Sequence, residues 1–92
     1  MRNALKLHPA DTVVTMIADV SAGEQVIWDE GLSGVEALDA VSFGHKVAVV
    51  AIEAGSRVMK YGASIGMATE PIAVGRHVHV HNLKSVRGAA KG

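Results

Sequence analysis

Near its C-terminal end the chain reads Arg76-His77-Val78-His79-Val80-His81-Asn82. Side chains of an extended strand alternate between its two faces. A strand over Arg76–His81 therefore predicts His77, His79 and His81 on one face, with Val78 and Val80 in the core. Imidazole changes charge near neutral pH and is a common metal ligand, so such a face can bind a metal or move a proton. The plain alternative is a solvated polar face that happens to use histidine. Three ligands from a single strand are awkward to converge, so His79 and His81 are the candidate catalytic and metal-binding pair.

Two further groupings suit an acidic substrate. Gly44-His45-Lys46 stands at the mouth of the most apolar stretch, where Lys46 can hold a carboxylate as a point charge. Lys60-Tyr61-Gly62 puts a cation beside a phenol just before a glycine, a combination that can form an anion-binding edge. An ordinary strand start and an ordinary hairpin end, with lysine protecting the edge, explain the same residues without function. No glycine-rich phosphate loop and no serine nucleophile elbow is present. The carboxylates are scattered and are expected mostly to face solvent.

These residues need short strands to hold them. The 92 residues fit one domain, and the apolar content comes largely from Val and Ala, with Trp28, Phe43 and Tyr61 the sole aromatics. Valine favours extended backbone, and ten glycines supply turns. One pattern occurs in Val20-Ser-Ala-Gly23-Glu-Gln-Val26, Ile52-Glu-Ala-Gly55-Ser-Arg-Val58 and Ile72-Ala-Val-Gly75-Arg-His-Val78. It reads as a strand end, a glycine turn and a new strand. Strands are expected at Ala4–Leu7, Val13–Val20, Gln25–Trp28, Val35–Leu38, Lys46–Ile52, Val58–Tyr61, Ser64–Ala68 and Arg76–His81. One turn of helix is the alternative for Val35–Ala40. Leu83–Gly92 has little to bury and reads as a tail or docking arm, so the domain is expected to occupy 1–83 and the tail 84–92.

Composition excludes several classes. Nine basic and nine acidic side chains cancel, leaving no basic stripe for nucleic acid. Without cysteine there is neither a disulfide framework nor thiol catalysis. No stretch has signal-peptide or membrane-span length, so no membrane association is expected and the cytoplasm is the default.

In combination, Gly44-His45-Lys46, Ile52-Glu-Ala-Gly55, Lys60-Tyr61-Gly62, Ile65-Gly66 and His79-Val80-His81-Asn82 resemble the N-terminal domain of altronate and galactarate dehydratases. They also resemble the small subunit of sulfolactate sulfo-lyase, and the resemblance spans roughly residues 3 to 83. It implies an all-β, SAF-type β-clip fold and β-elimination on a hydroxylated sugar acid, with a divalent metal, iron(II) most commonly. It adds Asn82 to the substrate-binding candidates His45, Lys46, Lys60 and Tyr61. The family's larger catalytic domain is not in this chain, so a separate large dehydratase subunit is the expected partner, or the chain is a fragment. A homo-oligomer stays open.

Dehydration removes the proton α to a carboxylate and expels a β-hydroxyl, so the departing oxygen needs a metal or a general acid. A domain this small cannot enclose a substrate alone, and the site is expected between it and the large subunit. The rival readings are a non-catalytic ligand- or protein-binding module and a sulfo-lyase small subunit releasing sulfite.

Overall fold

The glycine-centred repeat organises the molecule. In the computed structural model, which describes residues 2–29 and 33–85, every regular element is a β-strand. These are β1 (Ala4–Leu5), β2 (Val13–Met16), β3 (Gln25–Asp29), β4 (Ser33–Glu36), β5 (Lys46–Ala48), β6 (Arg57–Lys60), β7 (Ala63–Ala68), β8 (His77–Val78) and β9 (Leu83–Lys84). They form three antiparallel sheets in the orders β1-β2-β5-β8, β3-β4 and β6-β7-β9.

The repeat has a fourth copy that the sequence reading missed, Val41-Ser-Phe-Gly44-His-Lys-Val47. In all four copies the glycine takes a positive φ, between 85° and 92°. In all four, the residue after the glycine donates its N–H to the carbonyl two residues before it: Glu24 to Ser21, His45 to Ser42, Ser56 to Glu53 and Arg76 to Ala73. A strand then starts at the second residue after the glycine, at Gln25, Lys46, Arg57 and His77. A residue with a Cβ would be strained at that φ, which is why glycine recurs there.

The copies work in pairs. Val20 bridges Val41, and Ile52 bridges Ile72. The first pair of copies puts Val20, Val26, Val41 and Val47 into one apolar cluster. The second puts Ile52, Val58, Ile72 and Val78 into the other. All eight side chains are at most 4% exposed, and each contributes about 1.5–3 kcal/mol relative to staying in water. The chain is thus a twofold repetition of a two-turn unit, with β2 and β5 shared between the clusters. Val14 and Val47 face one cluster, and Val13 and Ala48 face the other.

The all-β expectation holds, and no helix forms over Val35–Ala40. Several strands are shorter than expected, whereas β3 and β7 each run one residue longer and β4 and β6 are shifted toward the N-terminus. The segment expected to run to Val20 ends at Met16, the one expected to run to Ile52 ends at Ala48, and the Arg76–His81 strand shrinks to His77–Val78. Its shortening has a clear cause. Lys46 pairs with Val78, so the next partner along β5 would be His45, which already lies in the Gly44 turn. With no strand to pair with, the chain turns at His79, and the Asn82 N–H closes that turn on the His79 carbonyl at 3.0 Å. Val80, expected in the core, is therefore 80% exposed. At the far end Leu83–Lys84, expected to open a tail, instead add β9 to β7, with Leu83 against the second cluster. Of the tail expected over 84–92, residues 86–92 lie outside the described residues.

Candidate functional site

The β5–β8 pairing brings His45 against the histidine strand. Val47 pairs with His77, so the Gly44 turn ends beside the start of β8. His45 Nδ1 lies 3.0 Å from His77 Nε2. The His45 ring is 5.1 Å from His77 and 4.9 Å from His79, centroid to centroid, and His77 stacks on His79 at 5.4 Å. One ring nitrogen from each of His45, His77 and His79 falls within 4.8 Å of the others. His81, exposed in the turn, stands 5.7 Å from His77 at the edge of this cluster. The metal pair expected from the sequence was His79 with His81. The group whose nitrogens converge is His45, His77 and His79, because the third ring comes from the Gly44 turn that leads into the neighbouring strand.

The backbone that carries these rings is clamped by side chains. The His77 N–H donates to Asp39 Oδ2 at 2.9 Å, and Asn82 Nδ2 donates to the His77 carbonyl at 2.9 Å. Asn82 Oδ1 accepts the His79 N–H at 2.9 Å. Asn82, expected at the substrate, is only 3% exposed and has both ends of its amide engaged in holding the histidine backbone. Asp39 is a residue the sequence reading passed over as one of the scattered carboxylates. It also pairs with Arg76 at 2.9 Å. The His77 N–H and then Arg76 outweigh burial and hold the Asp39 carboxyl below the usual carboxylate range. At His77, burial first and then the neighbouring imidazoles push the pKa down, against the pull of Asp39. Both influences favour the neutral imidazole at His77, the form that ligates a metal.

An open cleft of about 490 Å³ adjoins the cluster, with Asp39, Arg76, His77, His81 and Glu70 on its walls. The donor set fits a metal. Three imidazoles without a carboxylate among them suit zinc, iron, copper or nickel better than magnesium or calcium.

The remaining predicted residues lie elsewhere. Lys46 pairs with Val78 and Thr15, and strand alternation places it with Ala48 on the face opposite Val47 and His77. Tyr61, at the end of β6, reaches the same far face, where its O–H donates to Thr15 Oγ1 at 3.2 Å. Lys60 Nζ sits 4.9 Å from the centre of the Tyr61 ring. The lysines and the histidines, expected around one substrate, occupy opposite faces of the same sheet. The period of two across Lys46-Val47 carried that signal.

Comparison with known proteins agrees with the fold. A family described as the altronate/galactarate dehydratase SAF domain matches residues 2–86. Altronate dehydratase of Bacillus subtilis is 36% identical over 85 residues, 92% of this chain and 17% of that protein. Altronate dehydratase of Escherichia coli is 40% identical over 81 residues, 88% of this chain and 16% of that protein. The (2R)-sulfolactate sulfo-lyase subunit alpha of Chromohalobacter salexigens is 34% identical over 87 residues, 88% of this chain and 93% of that subunit. The chain thus spans about a sixth of the altronate dehydratases and nearly all of the sulfo-lyase subunit. With these matches laid on an all-β architecture of paired glycine turns, the chain belongs to the SAF-domain family of altronate and galactarate dehydratases and has its β-clip fold.

Proposed function

We propose that this chain is the small, metal-holding component of a lyase that eliminates a β-substituent from a hydroxylated acid, acting with a separate large catalytic subunit in the cytoplasm. The observation that carries the reading is the convergence of His45, His77 and His79 from two chain segments that only the β5–β8 pairing brings together. His45, His77 and His79 hold a divalent metal, iron(II) being the expected one. When bound, the metal supplies Lewis acidity to an oxygen of the acid. The chain's own residues do the rest of the work on this side of the site. Asp39 and Asn82 fix the backbone that aims the imidazoles, and the cleft beside His77 admits the acid from the partner's side. His81, exposed at the rim, carries a proton to or from the leaving group. Water is a poor leaving group near neutral pH, so that proton matters more for loss of hydroxide than for loss of sulfite.

The sulfo-lyase variant of the reading draws on one observation, the alignment over 93% of a protein that is itself named as a subunit. Both variants share the histidine site and the need for a partner. Metal binding is tested on the isolated chain by anaerobic calorimetric titration with iron(II), and with cobalt(II) as an optical probe. One site per chain is expected, weakened by about tenfold or more in His77→Ala. Activity is tested by adding a large dehydratase or sulfo-lyase subunit and assaying altronate, galactarate and sulfolactate. The isolated chain is expected to show no turnover. Turnover without a partner, or cobalt binding unchanged in His77→Ala, overturns the proposal.

A further inference from the structure

The far face of the β2–β5 pair holds a cluster that the histidine site does not use. Thr15 on β2 is the register partner of Lys46 on β5. The Tyr61 hydroxyl donates to Thr15 Oγ1, which leaves the hydroxyl proton of Thr15 for another acceptor. Lys60 stands over the Tyr61 ring, its ammonium 4.9 Å from the centroid. Strand register, a hydrogen bond and a cation–ring contact thus link Lys46, Thr15, Tyr61 and Lys60 in one series where β2, β5 and the end of β6 come together. Among the described residues, neither Lys46 nor Lys60 forms an ion pair with a carboxylate. Lys46 is half-buried, and its pKa is lowered first by that burial and then by the charge of Lys60. Two cations on one face without a carboxylate between them repel each other. An anion between them removes the conflict.

The backbone is built to present this group. Tyr61 has a φ of 55°, a left-handed conformation uncommon for a side chain of its size. It is pinned by Asp11, 3% exposed, whose Oδ1 accepts the N–H of Gly62 at 2.8 Å. The His8 ring closes over Gly62 so tightly that a Cβ there would meet it at 2.8 Å. A buried carboxylate and a close-packed ring together hold Tyr61 where its hydroxyl reaches Thr15.

We propose that Thr15, Lys46, Lys60 and Tyr61 form a binding site for a small oxyanion, the carboxylate or sulfonate of an organic acid, separate from the histidine cluster. The two lysines supply the charge, and the Thr15 hydroxyl and the phenol orient the oxygens. The site does not depend on the metal reading, since it shares no residue with it and lies across the sheet from it.

The test is a series of 1H–15N spectra of the labelled chain at neutral pH with a chelator present. Sodium malonate, sodium methanesulfonate and sodium sulfate are titrated against sodium chloride at constant ionic strength. Saturable shifts are expected at the Thr15, Lys46, Tyr61 and Gly62 amides, with His45, His77 and His79 unmoved. The Lys46 side-chain amine is expected to titrate at higher pH once the anion is bound. Lys46→Met and Lys60→Met should each weaken binding by about tenfold or more, the loss of one charge-assisted contact. Lys84→Gln, on the exposed side of β9, should leave it unchanged, and each spectrum reports whether the variant is folded. A linear response equal to that of chloride overturns the proposal. So do saturable shifts centred on the histidines, or affinity indifferent to both lysine variants. Sulfate binding without binding of either organic acid also overturns it. Failure of iron(II) or cobalt(II) to bind leaves it standing.

Discussion

Replacing Asn82 with Ala separates two roles that the motif could serve. The amide is 3% exposed and makes two hydrogen bonds of 2.9 Å, one accepted from the His79 N–H and one donated to the His77 carbonyl. Each such bond contributes about 0.5–1.5 kcal/mol net, and a buried backbone group left without its partner costs about 1–3 kcal/mol. The His79 N–H and the His77 carbonyl both lose their partner, although water entering the turn recovers part of the loss. The expected destabilisation is about 2–4 kcal/mol. For a domain of this size, about 4–8 °C of melting temperature goes with each kcal/mol. The melting point should therefore fall by roughly 8–32 °C, and the free-energy loss is a large fraction of the stability of a small domain. The backbone of His77 and His79 would loosen with it, and cobalt affinity should drop in the variant at a temperature where it remains folded. Urea denaturation gives the stability change, and the optical cobalt titration gives the second. A loss below about 1 kcal/mol, together with unchanged cobalt binding, would refute the clamp. If that result came with lost activity in the reconstituted complex, Asn82 would belong at the substrate.

Neighbouring valines should behave oppositely. Val78 is fully buried in the second cluster, so Val78→Asp should unfold the domain by burying an unpaired charge, whereas Val80→Asp, at a position 80% exposed, should shift stability by no more than about 0.5 kcal/mol. Circular dichroism melts of both variants check this. Acid sensitivity should trace in part to Asp11. Burial raises its pKa, but the N–H groups of Gly62, Tyr61 and His8 and the charge of His8 outweigh it, and the carboxyl sits below its ordinary value of 3.8. A group depressed in the folded state stabilises above its unfolded pKa and stops doing so as pH falls through the folded one. Asp11→Asn should therefore be less stable than the parent near neutral pH, and the gap should narrow below about pH 4. A gap that stays constant from pH 7 to pH 3 would show that the Asp11 charge is not what holds Tyr61 and Gly62.

The sequence by itself determined the fold class and the turn chemistry. Valine-rich segments without cysteine or helical period, punctuated by Gly23, Gly55 and Gly75, have few options other than short antiparallel strands. A glycine turn is a local property, set by which residue tolerates positive φ, so it can be read without knowing any neighbour. The motifs around His45, Lys60 and His79 likewise named candidate residues, because a family pattern records residue types. The tertiary structure decided how those residues are divided between the two faces of the sheet. Strand length depends on having a partner to pair with, and β8 stops at Val78 because β5 begins at Lys46. That ending exposes Val80 and folds His79 back toward His45, while the pleat of β5 sends Lys46 to the other face. The roles of Asp11, Asp39 and Asn82 rest on hydrogen bonds to backbone groups brought near by folding. For Asp11 and Asp39 those groups lie 51 and 38 residues away, and nothing in the residues next to them announces such a partner.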